Sequence, residues 1–486
     1  MKTIFICLDS LNRHYISPYT PNAWVQTPNI QRLSDRGITF DNHFCGSMPC
    51  MPARREFYTG RINFLETPWS PIQPWDDCMQ PELNRQKNTY SHMITDHYHY
   101  YHSGGECYHT RFSSWEFLRG QEGDVWHPLV NDPETPDFKG KNRRPYWVNR
   151  EFMDIDRDED YSTPQCFIQA IDFLEHNHDA DNWHLHVECF DPHEPFACPS
   201  KYVEMYDDTW DNNYHFDWPD YAPVNESEAA VQHIRKCYAG TLTMADHWLG
   251  KFLDKMDELD LWKDTTVIFT TDHGHLLGEH GYWARNYMFD YKKLVHIPLI
   301  VSTPDESNAG RRTSALTTTI DLMPTFMELH NAELPPHVHG KSIAHLLEQD
   351  GNHHDAILYG YFGKDINMTD GQYTYCRQPL DGSYLYNHTA NACNFSEFEK
   401  RDTLARADLG VFLPHAYDIP HFRIRSKSKT HHNAPDFNPI YDIVADPEQE
   451  TPIRDSELES KLADQMKTLL ERYEAPECQY DRVGLT

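Results

Sequence analysis

The chain opens on an apolar run, Thr3 to Leu8, that stops at Asp9-Ser10. A short run without polar alternation predicts a strand buried on both faces, as in a parallel sheet. Three more strand candidates follow: WHLHVECF (183–190), TTVIFTT (265–271) and HIPLIVST (296–303). Between the second and third, Val231, Ile234, Tyr238, Leu242, Ala245, Leu249, Phe252 and Met256 recur at steps of three and four, the apolar stripe of a long helix. Strand, long helix, strand predicts an α/β domain with a largely parallel sheet. In such sheets ligands bind beyond the carboxyl ends of the strands. Asp9, His193 and Asp272-His273 each come just after a predicted strand, and that shared placement is the first functional signal.

Residues 130–165, rich in Asp, Arg and Pro, and the acidic, aromatic stretch 200–228 show neither period. Both are expected as long surface insertions shaping a pocket rim. From about residue 350 the pattern shifts to short strands with turns, such as HFRIRS (421–426) and PIYDIV (439–444). A closing helix carries Leu458, Leu462, Met466, Leu469 and Tyr473 in register. The expected division is a catalytic α/β domain, 1–350, and a smaller C-terminal α+β subdomain, 351–486, with a small antiparallel sheet.

Composition narrows the partners. The 486 residues carry 43 Lys+Arg against 75 Asp+Glu, a formal net charge of −32. So acidic a surface argues against duplex nucleic acid and against an anionic membrane, both of which demand basic patches. No stretch approaches the roughly 18 uninterrupted apolar residues of a membrane span, and the first apolar run is too short for a signal peptide. A cytoplasmic protein is expected. The 12 cysteines form no C-x-x-C pairs, which predicts mostly reduced thiols.

The chemistry concentrates in PCMPARREFYTGR, residues 49–61. Cys50-Met51-Pro52-Ala53-Arg54, followed by Tyr58-Thr59-Gly60-Arg61, resembles the Cys-x-Pro-x-Arg…Thr-Gly-Arg pattern of the type I sulfatases of the alkaline-phosphatase superfamily. The resemblance extends in order over almost the whole chain. Asp9 takes the place of the first metal ligand, and FTTDHGHLLGEHG (269–281) is similar to the stretch that supplies two more, here Asp272 and His273. YSHMITDHYHYY (90–101) matches the segment ending Gly-Lys-Trp-His, with His97 at the Lys position and His99 at the His position. FDPHEPF (190–196) matches the Asp-Pro-His motif with His193, and HGYWAR (280–285) matches His-Gly-x-Trp-Gly-Lys with Arg285 in place of the substrate-binding lysine. IYDIVADPEQE (440–450) is similar to the pattern of the family's C-terminal subdomain.

The resemblance implies an alkaline-phosphatase-like fold, a large mixed β-sheet flanked by helices. It implies a formylglycine made from Cys50 by a formylglycine-generating or maturase enzyme, whose hydrated aldehyde supplies the nucleophile. It implies one divalent cation at Asp9, residue 50, Asp272 and His273, and catalytic roles for Cys50, Arg54, His99 and His193, with His97 and Arg285 contacting substrate. Physical chemistry agrees with this arrangement. The oxygens of a sulfate ester repel nucleophiles, so cations must offset their charge. A histidine that titrates near neutrality suits protonation of the leaving alkoxide, here His193, and His99 suits removal of the diol proton.

Two departures matter. Ser10 stands where the family commonly has a second aspartate, and His273 replaces a frequent Asn. Calcium is the family's ion; one carboxylate fewer and one nitrogen more also admit manganese or zinc. The expected function is hydrolysis of a small organic or carbohydrate sulfate ester. The alternative is a phosphonate monoester or phosphodiester hydrolase using the same nucleophile, since those relatives also depart from the paired aspartates. A third reading is a non-catalytic member that binds a sulfated ligand.

Overall fold

A computed structural model describes residues 1–211 and 213–486. Nine strands form the main sheet: β1 (Lys2–Leu8), β2 (Ile38–Phe44), β3 (Tyr90–Thr95), β4 (Ser114–Phe117), β5 (Trp183–Cys189), β6 (Thr265–Thr270), β7 (His296–Ile297), β8 (Leu299–Ser302) and β9 (Arg311–Thr318). Their order is β7-β2-β8-β6-β1-β5-β3-β4, with β9 paired to β2. Strands β6, β1, β5, β3 and β4 are mutually parallel, whereas β8 runs antiparallel to β6 and to β2. The sheet is therefore mixed. The single strand expected over 296–303 is two, because Pro298 has no N–H to give the ladder.

Helices cover both faces, and β1 shows why. Ile4, Ile6 and Leu8 point into one core with α2 (Ser162–Asn177) and α3 (Glu228–Glu258). Phe5 and Cys7 point into the other, with α1 (Cys50–Thr59) and α4 (Leu322–Leu329). This is the two-residue alternation of a strand buried on both sides. The whole predicted stripe of α3, from Val231 to Met256, is buried, each Leu or Phe on it stabilising by roughly 1.5–3 kcal/mol. Ser227 caps the helix by accepting from the Ala230 amide.

The C-terminal part holds β10 (Ile357–Tyr361), β11 (Ile366–Thr369), β12 (Tyr373–Arg377), β13 (Tyr384–Thr389), β14 (His421–Lys427) and β15 (Ile440–Asp442). The sheet β15-β12-β11-β10 is covered by α5 (Ser456–Arg472), whose Leu462, Met466, Leu469 and Leu470 pack on Leu358, Ile366, Met368 and Tyr375. Its fifth strand is Ser47–Met48, parallel to β10 and two residues ahead of Cys50. A two-residue strand has no period to read.

The insertions are more ordered than their composition predicts. Residues 144–150 form a helix that buries Tyr146, Trp147 and Val148. The two insertions also pair: Lys139 N–H donates to His215 O at 3.0 Å, His215 N–H to Asp137 O at 2.7 Å, and Lys141 N–H to Trp218 O at 2.8 Å.

Candidate active site

The parallel strands end in one place. Asp9 follows β1, with its amide donating to Cys189 O at the end of β5 (2.9 Å). His97 and His99 follow β3, His193 follows β5, and Asp272-His273 follow β6. Helix α1 starts here with Cys50 as its first residue, so the positive end of the helix dipole faces residue 50. Gly60 closes α1 in the left-handed region (φ 63°), and Arg61 then reaches His415 Nδ1 (3.0 Å) and Glu474 (3.1 Å). The Thr-Gly-Arg stretch thus ends the helix and ties it to the C-terminal part. Among the nine residues expected from sequence, all are buried and lie in one connected cluster.

Arg54, one helical turn after Cys50, organises the acidic side. Its Nε donates to Glu188 Oε1 (2.9 Å), one terminal nitrogen to Asp9 Oδ2 (2.7 Å) and the other to Asp272 Oδ2. All four side chains are fully buried. Burial opposes the charge on Arg54, but Glu188, Asp272 and Asp9 override it and hold the guanidinium charged. Asp272 sits well below the usual carboxylate range: burial works against this, but the charge of Arg54 and the Ser10 amide prevail. Asp9 is pushed up, by burial and by the charge of Asp272. Ser10, at φ 62°, points its amide at Asp272 Oδ1 (3.0 Å) and its hydroxyl at Asp9 Oδ1 (2.8 Å), a strap across the two carboxylates.

The donor set fits a divalent cation. One ligand atom from each of Asp9, Cys50, Asp272 and His273 lies within 4.8 Å of all the others. His273 Nδ1 meets Gly274 O at 2.9 Å, and a carbonyl only accepts, so Nδ1 carries the proton. Burial keeps this imidazole neutral. Its Nε2 lone pair then faces Asp272 Oδ2 at 3.2 Å and Cys50 Sγ at 3.4 Å. Lone pair against carboxylate is repulsive; a cation shared between them reverses the sign, and the outer N–H bond orients the ring as in known metal sites. Burial first, then Asp9, pushes the Cys50 thiol up, so an unconverted cysteine here is a neutral thiol.

On the other side of residue 50 stands a corner built around the Arg285 guanidinium. One terminal nitrogen of Arg285 is 3.4 Å from Cys50 Sγ and 2.6 Å from His193 Nε2. The other meets His275 Nδ1 (3.3 Å) and lies 3.6 Å from Glu194 Oε2. Arg285 follows Ala284, whose φ of 65° is a region that favours glycine. His193 Nδ1 donates to Glu194 O at 2.6 Å, which leaves Nε2 facing the site, and the Glu194 carboxylate is 3.5 Å from Nδ1. Burial lowers His193, with Glu194 acting in the opposite sense. His97, 3.4 Å from Asp9 Oδ2, has no hydrogen bond at either ring nitrogen; burial and Arg54 keep it neutral. His99 stacks edge-on against His97 (centroids 5.1 Å apart) and meets Glu122 Oε2 at 3.4 Å.

Several site residues escaped the sequence reading. Glu188 is one; its signal was a lone carboxylate within the predicted buried strand WHLHVEC. Glu122, Lys141 and Arg143 come from loops. Arg143 bonds Glu122 Oε1 (2.9 Å) and Tyr98 OH (3.2 Å), and Lys141 lies 3.7 Å from Glu194 and over the Tyr221 ring. The basic run Lys139 to Arg144 in so acidic a chain was the available clue. Glu122 also borders a cavity of about 470 Å³ walled by Trp126, Tyr146, Phe152 and Arg119; Cys50 itself does not line it.

Comparison with known proteins places the chain in a family. The family model described as Sulfatase matches residues 2–332. An arylsulfatase of Clostridium perfringens is 21% identical over 389 residues, covering 71% of this chain and 79% of its own. A structure of a protein in complex with its substrate D-glucosamine-2-N,6-O-disulfate superposes with a TM-score of 0.67 at 17% identity, covering 97% of this chain and 98% of that one. The phosphonate monoester hydrolase of Agrobacterium radiobacter superposes with a TM-score of 0.68 at 17% identity, covering 97% and 96%.

Proposed function

The chain belongs to the sulfatase family of sulfuric ester hydrolases, and from that premise we propose that it cleaves a small organic or carbohydrate sulfate ester with residue 50 converted to formylglycine. One observation carries the reading: Cys50 Sγ lies 3.4 Å both from His273 Nε2 and from Arg285, on a helix whose Arg54 grips Asp9 and Asp272. Asp9, Asp272, His273 and residue 50 would hold the cation, calcium by family, with manganese or zinc also admitted by the imidazole. Bound there, the converted residue supplies a hydrated-aldehyde oxygen as nucleophile and the cation offsets the negative charge of the ester.

The remaining work falls to side chains of this chain. Arg54 fixes the two carboxylates so that neither turns away. Arg285 faces the ester oxygens from the opposite side. His193 Nε2, which accepts from Arg285 in this structure, faces the leaving oxygen and would deliver a proton to it once taken up there, while its other nitrogen stays tied to Glu194 O. An anion that draws Arg285 toward itself frees His193 Nε2 from its 2.6 Å contact. His99, backed by Glu122, and His97 form the proton-accepting side. Lys141 and Arg143 offset Glu194 and Glu122, so that in a chain of net −32 the charge of Arg285 is left to attract an anion. The aromatic walls beside Glu122 suit a sugar or aryl leaving group, and a cavity of about 470 Å³ falls within the roughly 300–1,000 Å³ of small-ligand sites. The free cysteines fit a reducing compartment such as the cytoplasm, where a maturation enzyme would act on Cys50.

Cys50→Ala is expected to abolish sulfatase turnover with an unchanged Tm. Peptide mass analysis of wild-type protein from a host with the maturation enzyme should show an aldehyde at position 50. Turnover retained by Cys50→Ala overturns the reading. A second reading, phosphonate monoester or phosphodiester hydrolysis, is favoured by Ser10 and His273, which give one carboxylate fewer and one nitrogen more. Matched aryl sulfate and phosphonate monoester substrates, compared by kcat/KM, decide between them.

A further inference from the structure

A second group of metal-ligating side chains lies apart from the active site. Asp321 precedes α4, and His353 and His354 stand before β10, at the border between residues 1–350 and the C-terminal part. One ligand atom from each lies within 4.8 Å of the other two. His354 Nε2 is 2.9 and 3.0 Å from the two Asp321 oxygens, and His353 Nε2 is 3.3 Å from Oδ2. The three side chains are at most 1% exposed. Backbone amides of Lys341 and Thr318 donate to Oδ1 (2.9 Å) and Oδ2 (2.8 Å), fixing the carboxylate. That leaves its other lone pairs turned toward the two rings.

His353 Nε2 has no hydrogen-bond partner although it is buried and aimed at this carboxylate. A buried polar nitrogen without a partner calls for an explanation. We propose that Asp321, His353 and His354 bind a structural zinc-class divalent ion that clasps the catalytic and C-terminal parts together. Two imidazoles and one carboxylate suit zinc rather than calcium, and three protein ligands leave one tetrahedral position for water. The site is also wired to the nucleophile helix. Thr319, two residues before Asp321, accepts from the Gly46 amide at 3.0 Å and donates its hydroxyl to Glu56 on α1. An ion at Asp321 therefore stiffens the turn that presents residue 50.

The test uses the full chain, stripped with chelator, reloaded with zinc and dialysed. Wild type is expected to retain one more zinc equivalent than His353→Ala by elemental analysis. Equal zinc in the two overturns the proposal. An Asp272→Asn chain, weakened at the active site, serves as the second measurement and carries the test if His353→Ala does not fold. It is expected to keep zinc whose X-ray absorption shows two imidazoles and a carboxylate, and to gain about 3 °C in Tm at a hundredfold excess over Kd. An Asp272→Asn chain that retains no zinc and shows no Tm shift overturns the proposal.

Discussion

Arg54→Ala removes the one cation shared by Asp9, Glu188 and Asp272, all fully buried. Breaking a buried ion pair by deleting one partner costs about 3–5 kcal/mol, because the surviving charge is left in low dielectric. At about 2.1 cal/mol/K per residue, unfolding 486 residues carries an entropy of about 1 kcal/mol/K, so Tm should fall by about 3–5 °C. The pH dependence separates this cause from simple loss of packing. In wild type, burial would raise Glu188 and Asp272, yet the charge of Arg54 holds both low. Their stability is present at neutral pH and is lost only as pH falls through those depressed values. Without Arg54, burial raises the same groups above their unfolded values. Their ionisation then destabilises the fold increasingly as pH rises between the unfolded and folded values. Scanning calorimetry of both proteins in chelator, from pH 5 to pH 8, should show a Tm gap that widens with pH. A gap that is constant or narrows would refute the electrostatic account, and no gap would refute the ion pairs themselves.

Other substitutions read single roles. His193→Asn should lower kcat by about 10²–10⁴-fold for an alkyl sulfate and far less for an aryl sulfate whose phenolate leaves unaided; equal losses would remove His193 from the leaving-group side. Arg285→Ala should lose about 10²–10³-fold in kcat/KM, with Arg285→Lys recovering part of it, as a point charge replaces the fork. Ala284→Gly relieves the left-handed strain at φ 65° and should raise stability by up to about 1 kcal/mol, read by urea titration; a destabilised variant would mean that the strain is absent.

The four strands and α3 were legible because both faces of the sheet are buried, so the runs are nearly unbroken and their ends are marked by polar residues. The candidate site was legible for the same reason: Asp9, His193 and Asp272 sit one to four residues past those ends. Contributions that depend on tertiary pairing were not legible. Glu188 is read as an anomaly only once Arg54 is seen against it, and Ser47–Met48 becomes a strand only because β10 lies alongside. Lys141 and Arg143 reach the site because the two insertions pair through Lys139, His215 and Trp218, contacts nearly eighty residues apart that no local period announces.

The charge balance of the site predicts which esters it accepts. Glu194 is offset by Lys141, and Glu122 by Arg143. Asp9, Asp272 and Glu188 face Arg54, and a divalent cation at the Asp9–Asp272 position would bring that group to neutrality. With His193 neutral, Arg285 is then the single surplus charge among the described residues beside residue 50. One surplus positive charge matches a monoanion. Sulfate monoesters, phosphonate monoesters and phosphodiesters all qualify at neutral pH, which is why the two readings of function share one geometry. A phosphate monoester, dianionic there, brings one charge too many into a buried site, where unpaired charge is costly. An aryl phosphate should therefore fall behind the matched aryl sulfate by about 10²-fold or more in kcat/KM, which is about 3 kcal/mol at 1.4 kcal/mol per decade. The deficit should shrink below pH 6, where the phosphate takes up a proton. An aryl phosphate turned over as fast as the sulfate at pH 8 would show that Arg285 is not the only uncompensated charge facing residue 50.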